Sequence, residues 1–131
     1  MPDRPQGRIL VVDDEPLIRE MAREILEGQG YAVTEAVDGQ DGLDVWMDRQ
    51  AQFDLIILDL VMPRLHGFQV MDRILQVAPR TRFLISSGFS PDSRPELTRP
   101  TATTAFLAKP YRSKDLLERV HRLLQDSGPA A

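Results

Sequence analysis

Cysteine is absent from this 131-residue chain, which excludes disulfides and thiolate metal centres. Long apolar runs are absent too: the longest extend over a few residues, far short of the roughly 20 that a bilayer-spanning helix needs. The opening Met1-Pro2-Asp3-Arg4-Pro5-Gln6-Gly7 has no apolar stretch of the secretory-leader type. Basic charge is not in excess. The net charge is −4, so no broad positive field invites nucleic acid. Internal repeats and low-complexity blocks are missing as well. These absences lead to the expectation of a cytosolic protein, or a cytosolic piece of a larger one, with neither membrane nor nucleic acid as a partner of this chain.

Hydrophobic residues make up 42% of the chain and charged residues 27%, a balance that supports one domain with a real core. Apolar runs alternate with helical patterns. Ile9 to Val12, Tyr31 to Ala36, Leu55 to Leu58, Phe83 to Ile85 and Ala105 to Leu107 are expected as strands. Pro16 suits the first turn of a helix that carries Leu17, Ile18, Met21, Ala22, Ile25 and Leu26 at helical spacing, and Gly28 and Gly30 end it. Asp38-Gly39 turns the chain, and Leu43, Val45, Trp46 and Met47 mark the next helix. A third starts near Gly67, carries Phe68, Met71, Ile74 and Leu75, and stops at Pro79. The last runs from about Ser113, expected as its N-cap, with Leu116, Leu117, Val120, Leu123 and Leu124 on one face. Residues 1–7 and 127–131 read as tails around a domain of residues 8–126. The stretch from Ser90 to Thr104 holds Pro91, Pro95 and Pro100. A proline inside a helix costs about 3 kcal/mol, so a fourth helix in this stretch is expected to be short or irregular.

Strands alternating with helices imply an α/β fold with a parallel sheet covered on both faces. Ligand sites in such folds lie at the carboxyl ends of the strands. The first expected strand ends in Asp13-Asp14-Glu15, the third in Asp59, the fourth in Ser86-Ser87-Gly88 and the fifth in Lys109-Pro110. Taken singly, each is a turn or cap residue. Taken together, they put three aspartates, a hydroxyl and one lysine around one small pocket. Carboxylates that close repel one another, and Mg²⁺ with its preference for oxygen ligands relieves the repulsion. The lysine adds a compact positive charge for a phosphoryl oxygen, and the serine a donor. The set suits transfer of a phosphoryl group to a carboxylate, where catalysis is mostly positioning and charge neutralisation.

With these pieces in place, the chain resembles the receiver domain of response regulators in two-component signalling. The resemblance rests on Ile9 to Pro16, Asp54 to Pro63 with Gly67, Ser87-Gly88, and Phe106 to Tyr111. It implies a flavodoxin-like, doubly wound five-stranded sheet in the order 2-1-3-4-5. It also implies roles. Asp59 would be the phosphoacceptor, and Asp14 the direct Mg²⁺ ligand together with Asp59. Asp13 would act through a metal-bound water, and the backbone carbonyl of Val61 would complete the coordination. Ser87 would be the switch hydroxyl on the phosphoryl group, Phe106 the aromatic that moves with it, and Lys109 the ion-pair partner of that group. The Lys109-Pro110 bond would be cis. Val61 and Phe89 would flank the approach of the water that removes the phosphoryl group; both are apolar and orient water poorly. The donor would be a histidine kinase or a histidine phosphotransfer protein. The Ser87-Gly88-Phe89 and Phe106 to Tyr111 phrases resemble receivers of hybrid histidine kinases, so the chain is read as stand-alone or as a receiver from such a kinase.

Two other readings compete. A non-switching pseudo-receiver would have lost Asp14, Asp59 or Lys109, and all are present. An acyl-phosphate phosphatase needs a general acid two residues past its nucleophile, where this chain has Val61. His66 and His121 are not promoted to metal ligands or phosphohistidines. Glu15 is read as a charge-tuning residue that caps the first helix. Arg80, Arg82, Arg94 and Arg99 are read as solvated loop charge.

Overall fold

The computed structural model describes residues 7–48, 53–60, 67–87 and 103–125, with Ser87 described in its backbone alone. Along the chain these residues form β1 (Arg8–Val12), α1 (Pro16–Glu27), β2 (Ala32–Ala36), α2 (Gly39–Asp48) and β3 (Leu55–Asp59). They continue through α3 (Gly67–Val77), β4 (Phe83–Ser87), β5 (Thr104–Ala108) and α4 (Ser113–Gln125). The strands form one parallel sheet in the order β2-β1-β3-β4-β5, the order that the resemblance implies. The expectation of a short or irregular helix between β4 and β5 lies outside the described residues. Among the described residues, no helix is long and apolar enough to cross a membrane.

The strand sequences explain the sheet. β3 is flanked by β1 and β4 and covered on both faces, and Leu55 to Asp59 are all buried. β1 reads the same way from Ile9 onward. Side chains alternate across each strand. Leu10, Val12, Ile56, Leu58, Phe83 and Ile85 form one cluster with Trp46 of α2 and Val70 and Ile74 of α3. Ile9, Val11, Leu55, Ile57, Leu84 and Leu107 form the other, with Ala22 and Leu26 of α1 and Leu116, Val120 and Leu123 of α4. Burying one leucine such as Leu26 contributes about 1.5–3 kcal/mol, so each helix is held mainly by two or three such residues.

Two helix starts and one strand start differ from expectation. Gly39 is the first residue of α2 and not part of the turn before it. Asp38 accepts the Asp41 N–H at 2.8 Å, while Asp41 accepts the Val37 N–H at 2.9 Å, a reciprocal cap that starts the helix there. Ser113 is inside α4, because the Arg112 carbonyl already accepts the Leu116 N–H at 3.0 Å. Tyr31 precedes β2: its N–H returns to the Leu26 carbonyl at 3.2 Å, in a reversal that Gly30 permits with φ 93°.

Candidate functional site

The alternation that builds the α1/α4 face also builds the site. Ile9 and Val11 lead to Asp13, Leu55 and Ile57 to Asp59, and Ala105 and Leu107 to Lys109. Each site residue is the next step of an apolar series, at the carboxyl end of its strand. The three side chains meet. Lys109 Nζ lies 2.7 Å from Asp13 Oδ2, 3.1 Å from Glu15 Oε1 and 3.3 Å from Asp59 Oδ2. Asp13 and Asp59 are only 4% and 5% exposed, so the ammonium offsets charge that water cannot solvate. Burial pulls the Lys109 ammonium toward neutrality, but the hydrogen bond and charge of Asp13, then the charge of Asp59 and the hydrogen bond of Glu15, outweigh it. The Lys109 pKa rises above the ordinary lysine value.

Asp13 is held on every side. Its Oδ1 accepts the Glu15 N–H at 2.9 Å, and its backbone carbonyl accepts from Arg19 Nη1 at 2.8 Å. Arg19 is in turn aligned by Glu35 at 3.2 Å. Glu15 corrects the earlier reading. It occupies the N-cap position of α1 but its side chain makes no capping bond and pairs with Lys109 instead. Tyr111 is partly buried against the α1/α4 cluster and feels the charges of Asp13 and Lys109. Burial, with help from the charge of Asp13, pushes its phenol up to about 12 against the opposing pull of Lys109.

Two glycines let the elements approach. A Cβ on Gly42 would stand 2.8 Å from both Val12 methyls, so α2 packs tightly beside the end of β1. A Cβ on Gly67 would overlap the Asp59 carbonyl oxygen and lie 2.7 Å from Leu60 Cα, while the Gly67 N–H donates to the Leu60 carbonyl at 3.1 Å. The first residue of α3 is thus stacked on the backbone that presents Asp59.

Asp13, Asp14 and Asp59 each offer a carboxylate oxygen within 4.8 Å of the others. An all-oxygen donor set of this kind fits a hard divalent cation, Mg²⁺ or Ca²⁺. The Lys109-Pro110 peptide bond is cis. Phe106 is half-buried on β5 against the α2/α3 cluster. Ser87 pairs with Ala108 in the β4–β5 register. The Val61 and Phe89 assignments lie outside the described residues, as does His66. His121 is exposed on α4 and is not a member of the Asp13, Asp14 and Asp59 cluster. Sequence reasoning gave no individual role to Arg19, Tyr111 or Ser86, although Ser86 was placed at a strand end and Tyr111 in a matching phrase. For Ser86 a signal existed: a polar residue follows the apolar run Phe83 to Ile85 on a central strand and is 2% exposed.

Comparison with known proteins gives the family of the chain. The family model described as the response regulator receiver domain matches residues 9–121. The chemotaxis protein CheY of Treponema pallidum is 29% identical over 126 residues, covering 93% of this chain and 88% of that protein. The sensor kinase CckA of Brucella abortus is 28% identical over 117 residues, covering 89% of this chain but only 12% of the kinase. The crystal structure of the response regulator TrrA from Thermotoga maritima, in complex with Mg²⁺ and BeF, superposes with a TM-score of 0.78 at 32% identity, covering 91% of this chain and 100% of that one.

Proposed function

The chain belongs to the response regulator receiver domain family of two-component signalling, and from that premise we propose that Asp59 accepts a phosphoryl group from a phosphohistidine. The donor is a histidine kinase or a histidine phosphotransfer protein, and the chain works in the cytosol, either alone or as the receiver of a hybrid histidine kinase. One observation carries the reading: a single ammonium, that of Lys109, bridges Asp13 and Asp59 where the strand ends converge.

The chemistry follows from that geometry. An Asp59 carboxylate oxygen attacks phosphorus in line, and the bond from phosphorus to the imidazole nitrogen breaks with its electron pair staying on nitrogen. Charge spreads over the three equatorial oxygens, so the protein's task is to position and neutralise. Lys109 stands 3.3 Å from the acceptor and is ready to move its charge onto a phosphoryl oxygen. Asp13, fixed by the Glu15 N–H and by Arg19, keeps the ammonium from drifting away. Mg²⁺, held by Asp14 and Asp59 with Asp13 acting through a water, would neutralise the incoming phosphoryl oxygens. Both Asp13 carboxylate oxygens are already engaged, by the Glu15 N–H and by Lys109, which supports its indirect role. Ser87 serves as the switch hydroxyl and Phe106 as the aromatic that responds. The apolar Val61 and Phe89 leave an attacking water unheld, which favours a long-lived phosphoryl group.

Incubation with acetyl phosphate and Mg²⁺, read by intact mass, tests this. Wild type gains one phosphoryl group and Asp59→Asn none, because an amide nitrogen does not attack as a carboxylate does. A wild type that stays unmodified in a folded sample would leave the non-switching binding module as the better reading.

A further inference from the structure

Ser86 sits where an apolar side chain would serve the fold better. It follows Leu84 on the α1/α4 face of β4 by the two-residue repeat of a strand. In the sheet register its neighbours are Asp59 on β3 and Leu107 on β5. It is 2% exposed, and its Oγ has no hydrogen-bond partner among the described residues. A buried hydroxyl left unpaired is destabilising relative to alanine in the same place. Register-paired side chains of a parallel sheet point to the same side, so this donor stands beside the Asp59 carboxyl. The Asp59 Oδ2 atom is held by Lys109, whose ammonium is shared among three carboxylates.

We propose that Ser86 is a donor held in reserve for the phosphorylated state. The inference rests on Asp59 being the acceptor. When the Lys109 ammonium moves to a phosphoryl oxygen, it gives up Asp59 Oδ2, which has become the carbonyl oxygen of an acyl phosphate. The Ser86 hydroxyl then donates to that oxygen. It keeps its own proton throughout; the only covalent changes are the new oxygen–phosphorus bond and the broken nitrogen–phosphorus bond. The hydroxyl is unpaired before transfer and paired after it, so it favours the phosphorylated form. This role is separate from that of Ser87.

Beryllium fluoride with Mg²⁺, a stand-in for the phosphoryl group, gives an equilibrium readout by fluorine NMR. Ser86→Ala is expected to weaken beryllium fluoride binding by about three- to tenfold, the worth of one net hydrogen bond. Its melting temperature without the fluoride should equal or exceed that of wild type, which a merely structural hydroxyl would not allow. Ser86→Thr, which retains the hydroxyl, should restore most of the affinity. Equal affinity in wild type and Ser86→Ala would overturn the inference alone. So would an alanine variant that melts lower without the fluoride, because the hydroxyl would already have a partner. A wild type that neither binds beryllium fluoride nor takes a phosphoryl group from acetyl phosphate would overturn the acceptor reading and this inference together.

Discussion

The two faces of the sheet are built from the same strands by the same alternation, yet they end differently. On the α2/α3 side the buried members Leu10, Val12, Ile56, Leu58, Phe83 and Ile85 are all apolar and cluster with Trp46. On the α1/α4 side the series runs one residue further and turns polar, giving Asp13, Asp59, Ser86 and Lys109. The buried polar residues Asp13, Asp59 and Ser86 therefore all continue the α1/α4 series, while the α2/α3 series is apolar wherever it is buried. The lesson is one of division of labour: the packed face bears the cost of crowding two carboxylates on the other.

The sharpest way to break this comparison is to exchange a residue on each face. Asp59→Asn should lose phosphorylation entirely while folding at least as stably as wild type, since it removes one of two buried carboxylates around Lys109. Trp46→Ala should do the reverse. It is expected to cost about 3–5 kcal/mol in urea unfolding and to leave phosphoryl acceptance per folded molecule intact. Loss of acceptance in the folded Trp46 variant would show that the faces are not separable.

Lys109→Ala tests the charged end by itself. It leaves Asp13 and Asp59 facing each other without a cation, and breaking a buried pair in this way costs roughly 3 kcal/mol. Millimolar Mg²⁺ should recover part of that loss, seen as a shift of the urea midpoint. An identical midpoint with and without metal would argue that the carboxylates do not share a cation site.

Gly67→Ala probes how the two faces are joined. Its methyl group would overlap the Asp59 carbonyl, so α3 must back away from the strand that presents Asp59. About 1–3 kcal/mol of stability should go, and phosphorylation should slow as Asp59 shifts. A variant as stable as wild type would mean that α3 yields more readily than backbone against backbone suggests.

The smallest effect is expected at alkaline pH. Tyr111 ionises near pH 10 when unfolded and near 12 when folded, so between those values the folded state holds a proton that the unfolded state has released. Stability should fall as pH rises through that window. The raised Lys109 pKa has the same sign: its contribution is complete below the ordinary lysine range and is lost as pH climbs through the higher folded value. Tyr111→Phe should flatten the fall in urea midpoint between about pH 10 and 12. An unchanged slope would assign it to other groups.

Much of this was legible before any coordinates. The apolar runs at Ile9, Leu55, Phe83 and Ala105, separated by helical repeats, dictate an α/β fold, because a run of that length and composition is stable only with both faces covered. The same reading placed Asp13, Asp59 and Lys109 at strand ends, and a parallel sheet puts such ends on one side. The strand order came from the resemblance rather than from the residues. The start of α2 was misplaced because Asp38-Gly39 has the composition of a turn. The reciprocal bonds of Asp38 and Asp41, which turn it into a cap, depend on where the helix begins.

The sequence by itself determined which residues could be buried and which charges would gather at the mouth of the sheet, since both follow from local periodicity and from the direction of parallel strands. Only the tertiary structure decided that Glu15 turns to Lys109 instead of capping its own helix, that Arg19 and Glu35 brace Asp13, and that Ser86 stands next to Asp59 in the register with no hydrogen-bond partner among the described residues. The physical reason is distance along the chain. Those relations join residues from different strands and helices, and their geometry exists only once the register of the strands and the packing of the helices have brought them within reach.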